Sequence, residues 1–156
     1  MSIDTGLPNI FQSETVSALY KRMDDLQADA PALWGKMNVS QMLAHCCIPF
    51  EQALGMRSDG PNLFMKLLLR IFFKNSMVNE VPYRPNLPTA PSFVIDNERN
   101  IEVERSRLKM LLGQFNERGE SAFDGKKQIS LGSLSALEWN NLMYKHLDHH
   151  LRQFGV

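Results

Sequence analysis

The residues best suited to chemistry stand near the end of the chain, where Tyr144 to His150 read Tyr-Lys-His-Leu-Asp-His-His. His146 and His150 are four apart. On a helix that spacing puts both rings on one face, one turn apart, where two imidazoles can grip a single metal ion. The same spacing suits two core histidines bonded to carbonyls, so the motif by itself leaves both readings open. No Ser-His-Asp set, Gly-rich phosphate loop or paired-carboxylate motif competes with it.

The element that must position these rings is a helix over 136–153. Ser135 is its expected N-cap, and Glu138, three residues on, closes a capping box. Leu134 and Trp139 sit where a hydrophobic staple joins the residue before the cap to the fourth helical position. Gly155 then stops the helix. The core-facing stripe is Trp139, Leu142, Met143, His146, His150 and Gln153. It turns polar after one and a half turns, and burying imidazole costs free energy unless each nitrogen finds a partner.

A further histidine, His45, lies on a second helix expected over 38–54. Asn38 opens that helix with Gln41 in a capping-box position, and Gly55 ends it. Its stripe is Val39, Met42, Leu43, Cys46, Phe50, Ala53 and Leu54. His45 falls on the flank of the stripe, where a half-exposed surface histidine is the plainer reading. Pro49 cannot donate to the carbonyl of His45, so the helix is expected to bend beside that residue. Cys46 faces the core and reads as packing rather than as a nucleophile.

The chain has 156 residues, enough for one domain with a real core, with an irregular arm over 1–12. Lys+Arg and Asp+Glu both number 17, a balance that argues against a nucleic-acid binder. The only cysteines, Cys46 and Cys47, are neighbours, so there is no disulfide framework, and a reducing, cytoplasmic setting fits. The first residues lack the basic and apolar regions of a signal peptide. No run reaches the ~18 apolar residues of a membrane span.

Two further helices complete the reading, over 13–28 with Ser13 as cap and over 97–118 with Asp96 or Asn97 as cap and Gly119 as C-cap. Pro61 opens a shorter helical segment, Asn62–Lys74, rich in Leu, Ile and Phe, along which Lys66, Arg70 and Lys74 form one basic line. Such a segment can lie on a membrane surface; more often it covers a core or a dimer seam, and its apolar excess predicts a homodimer. Pro82, Pro85, Pro88 and Pro91 are spaced by three, the period of polyproline II. An SH3-type ligand is one reading, and an ordered strap across the helices is the one favoured for an internal segment. Residues 120–133 read as a loop. No strand pattern appears, so the fold class is all-α.

Taken together, Leu33-Trp-Gly-Lys-Met-Asn-Val-Ser-Gln-Met-Leu-Ala-His45 and Glu138-Trp139 through Tyr144-Lys-His-Leu-Asp-His-His-Leu-Arg-Gln-Phe-Gly155 resemble the DinB-like superfamily, closest to a branch of unknown function. The likeness runs from about residue 14 to 155. It implies an up-down four-helix bundle, here with an extra short helix and a proline-rich strap. It also implies a divalent metal, zinc or nickel first, held by His45, His146 and His150. His149 matches the branch motif without being one of the usual ligands. Some relatives are transferases or isomerases that use low-molecular-weight thiols. One departure stands out: the branch carries His-Pro where this chain has Gln128-Ile129.

Two functions follow as expectations. The first is a metal-dependent enzyme, a thiol-dependent transferase or a hydrolase. The second is a non-catalytic interaction protein whose metal site is vestigial or structural.

Overall fold

A computed structural model of the protein describes residues 6–156. Four long helices carry the architecture: α1 (Ser13–Asp25), α2 (Val39–Ala53), α5 (Ile101–Arg118) and α7 (Ala136–Gln153). Between α2 and α5 lie α3 (Leu63–Leu68), a π-helical turn (Leu69–Phe73), α4 (Lys74–Val78) and a 3-10 turn (Pro91–Phe93). A short α6 (Glu120–Phe123) and an antiparallel pair, β1 (Lys127–Gln128) and β2 (Gly132–Ser133), precede α7. The structure is therefore mostly helical, with one two-stranded ribbon where the sequence suggested only a loop. Helix α5 packs on both α1 and α2, and α7 packs on α2 and α4.

Local chemistry accounts for the helix ends. Asn38 and Ser135 each accept a hydrogen bond from the backbone of the third helical residue, and the Gln41 and Glu138 side chains reach back to the cap N–H. Both capping boxes thus form as the sequence predicts. Gly55 and Gly155, with φ of 77° and 81°, take the left-handed conformation that stops α2 and α7 without a Cβ penalty. Ser135→Ala is expected to destabilise the protein by about 1 kcal/mol, with α7 the element affected, as read by urea denaturation.

Other boundaries differ from the sequence reading. Ser13 is the first residue of α1 rather than its cap; Gln12 holds the cap position with no side-chain bond, and the helix ends at Asp25, not near 28. Helix α5 begins at Ile101, where the Asn100 side chain accepts from Val103 N–H, and not at Asp96 or Asn97. The proline segment is not one continuous polyproline edge, because Asn86 has a φ of 60° and turns the chain there. The described part of the N-terminal arm is anchored. Ile10 is fully buried, its N–H donates to Asn140 Oδ1 at 2.7 Å, and its carbonyl accepts from Asn116 Nδ2 at 3.1 Å.

The core runs between the long helices. Met23 of α1, Met42 and Phe50 of α2, Leu108 and Phe115 of α5, and Trp139, Met143 and Leu147 of α7 all lie within it. Phe115 is the hub of its aromatic part. Its ring stacks on Phe11 at 5.2 Å between centroids, lies 4.1 Å from Phe123 and meets Phe50 edge-on at 5.5 Å. Leu134 and Trp139, the expected staple pair, are both buried in this core.

Candidate metal centre

Helices α2 and α7 lie side by side and bring three histidines from two distant stretches of chain to one point. The ring centroids of His45, His146 and His150 form a near-equilateral triangle with sides of 4.9, 4.6 and 4.7 Å. One ligand atom from each lies within 4.8 Å of the other two. His45 Nε2 stands 3.0 Å from His146 Nε2. Two nitrogens on one tetrahedral zinc are ~3.3 Å apart, given bonds of 2.0–2.1 Å, so this pair already has the separation a metal would need.

His45 is only 3% exposed, which overturns the half-exposed surface reading. The cause is the segment after the prolines. The carbonyl of Phe93 closes over the ring and takes its Nδ1 at 2.8 Å. That segment is itself fastened to the end of α2: Arg57, ion-paired with Asp59 at 2.5 Å, reaches the carbonyl of Ser92 at 3.4 Å. Glu51 of α2 and Glu104 of α5 share Arg107, which ties the two helices together. Helix α2 continues through Pro49 to Ala53.

The hydrogen bonds fix which nitrogens are free. A carbonyl oxygen only accepts, so His45 Nδ1 carries the proton and, in the neutral ring, Nε2 carries the lone pair. Gln153 does the same for His150. Its amide nitrogen donates to the Trp34 carbonyl at 2.6 Å, which turns its oxygen toward His150 Nδ1 at 2.8 Å. His150 Nδ1 therefore donates, and Nε2 is left with the lone pair that a metal could use. The chain matches no protein-family model, no curated protein and no solved structure.

Electrostatics point the same way. Burial pushes His150 down to about 3, and the neighbouring His45 acts in the same direction. Burial also holds His146 well below its ordinary value, reinforced by the other three histidines, and lowers His45 against the opposing pull of the Phe93 bond. Neutral imidazole is the form that binds metal. No carboxylate or thiolate belongs to the cluster among the described residues. Cys46 and Cys47 are buried, and burial raises both thiols, Cys47 to about 12, so neither is a ready nucleophile.

His149 stands outside the triad. Its ring contacts Trp34, at 5.3 Å, and Tyr83, at 5.9 Å, and of the triad it meets His150, at 5.1 Å. Lys145, the other polar neighbour, is also turned aside. Its ammonium donates to the carbonyls of Ser76 and Asn79 at 2.9 and 2.8 Å, closing the C-terminal end of α4, and burial lowers its pKa to about 8.

The residues that orient the ligands escaped the sequence reading. Gln153 carried a signal, a polar side chain on the buried stripe three residues beyond His150. Gly35 has a positive φ of 77°, and a Cβ there would come within 2.7 Å of Gln153 Nε2, so the glycine makes room for the orienting amide. The Phe93 and Trp34 carbonyls left no sequence signal. Gln153→Leu is expected to weaken zinc binding about 10–100-fold, the usual effect of losing such a partner, measured by competition with a chromogenic chelator.

Proposed function

We propose that the protein is a divalent-metal-dependent enzyme whose ion is held by Nε2 of His45, His146 and His150, with zinc or nickel as the metal. The observation that carries this reading is the convergence of three neutral imidazoles, those of His45 and His150 buried and with their tautomers fixed from behind. A structural zinc site is closed by four protein ligands, whereas three leave a position open. His146 keeps partial contact with solvent, which supports access to that position.

The resemblance to the DinB-like superfamily supports the same triad, and with it an up-down bundle made of α1, α2, α5 and α7. An all-imidazole set leaves the charge of a dication unneutralised and so favours an anionic ligand in the open position. A dication held by the three rings would supply Lewis acidity, lowering the pKa of a thiol or water that reached the open position. His45 and His150 hold their lone pairs toward the centre, and the Phe93 and Gln153 oxygens keep the ring protons on the far side. Since both cysteines are buried with raised pKa values, the thiol of a transferase reaction comes from a small molecule. Hydrolysis is the other reaction that fits the same residues.

The test is elemental analysis of untagged native protein, followed by a thiol-transfer screen and an ester-hydrolysis screen with the metal it holds. One equivalent of zinc or nickel, with turnover that dialysis against chelator abolishes, is the expected result. Protein that carries the metal but accelerates neither reaction would favour a structural site in an interaction protein. Protein that binds no divalent metal would remove the reading.

A further inference from the structure

Among the described residues, the largest run of exposed apolar side chains lies along α3 and the π-helical turn. Leu63, Ile71 and Phe72 are 83%, 62% and 68% exposed, and Phe64, Leu67 and Phe73 are exposed beside them. Folded chains rarely leave so many large side chains together in water. The segment is not loosely attached. Leu69 and Met77 pack against the core, Val78 is buried in it, and the Lys145 ammonium holds the carbonyls of Ser76 and Asn79. The apolar face is thus presented outward by a fixed helix.

Its charge is one-sided. From Gly60 to Asn79 there is no acidic residue, while Lys66, Arg70 and Lys74 recur every four positions. Within α3 the pair Leu63 and Leu67 is flanked on one side by Phe64 and Leu68 and on the other by Lys66, and the π-helical turn that follows adds exposed Ile71 and Phe72 beside Arg70. Lys74 also reaches Glu138 at 3.3 Å, at the end nearest α7. The helical stretch of residues 63–78 is ~24 Å long at 1.5 Å per residue, shorter than the ~30 Å of a hydrocarbon core. Among the described residues no helix is long and apolar enough to cross a membrane.

We propose that this face docks on an anionic lipid bilayer, with Leu63, Phe64, Leu67, Ile71 and Phe72 entering the acyl boundary and Lys66 and Arg70 meeting lipid phosphates and carboxylates. Apolar insertion plus attraction to anionic lipid is the chemistry of an interfacial helix. A seam between two copies would use the apolar row equally well. It would bring two basic rows together with no acidic residue on the segment to answer them, so charge favours the bilayer.

The experiment is co-sedimentation of the full chain with vesicles of phosphatidylcholine alone and of phosphatidylcholine mixed with phosphatidylserine. Binding to the mixed vesicles is expected to exceed binding to the neutral ones about tenfold and to fall with added salt. Ile71→Asp and the double change Lys66→Glu, Arg70→Glu should each reduce it about tenfold, with the melting temperature of the exposed-site variants unchanged. Equal binding to both vesicles, binding to neither, or variants that bind like the parent would overturn the proposal. A dimer by light scattering that Ile71→Asp dissociates, without vesicle binding, would assign the face to a second copy and overturn it too.

Discussion

His150→Ala is expected to abolish stoichiometric metal binding, as are His45→Ala and His146→Ala, whereas His149→Ala is expected to retain most of it. The measure is metal per chain after dialysis, for each purified variant. Among the described residues, those three histidines make up the cluster that could hold an ion, and His149 contacts Trp34 and Tyr83. If the first three variants kept as much metal as the parent, the triad would be wrong. The dependence on pH follows from the same burial. With all three rings held below their usual ~6.5, the folded chain keeps them neutral in mild acid, while the unfolded chain takes up protons there. Their contribution to stability is complete above pH ~6.5 and is lost as pH falls from there toward the folded values, about 3 for His150. Protons therefore compete for the folded site only at lower pH than an exposed histidine pair would allow. Metal-free protein that grew more stable in urea between neutral and mildly acid pH would contradict this.

Phe115→Ala costs about 3–5 kcal/mol, the range for removing a large aromatic from a packed core. The ring is fully buried and touches partners from the N-terminal arm, α2, α6 and α7, so no single neighbour can move in to fill the space. The urea midpoint is expected to fall steeply with an unchanged m-value. A loss under about 1 kcal/mol would mean that the surrounding rings collapse into the gap. The metal site need not change in the folded fraction, because the triad lies toward the other end of α7.

What could be read from the sequence was local. The two capping boxes, the glycine stops and the histidine pair on α7 depend on residues within one helical turn of one another. Where local choices were degenerate, the wrong residue was selected: Asp96, Asn97 and Asn100 are all competent caps, and Asn100 is the one whose oxygen meets Val103 N–H. The burial of His45 is illegible in the sequence for a different reason. Helical periodicity reports the face toward neighbouring helices, but the atom that buries this ring is a carbonyl 48 residues away in an irregular segment. Proline spacing likewise says nothing about Asn86, whose positive φ redirects the strap. The exposed face of α3 was legible as an apolar excess; that it stays uncovered in the single chain required the structure.

The bond from His45 to the Phe93 carbonyl has a consequence for genetics. The acceptor is main chain, and every residue type offers the same oxygen at that position. A scan that replaced each side chain of the segment in turn would leave the acceptor in place and score position 93 by its ring alone. Insertion or deletion of a single residue between Pro91 and the start of α5 would shift the oxygen away from the imidazole. Natural variation in this loop should therefore be tolerant of substitution and intolerant of changes in length.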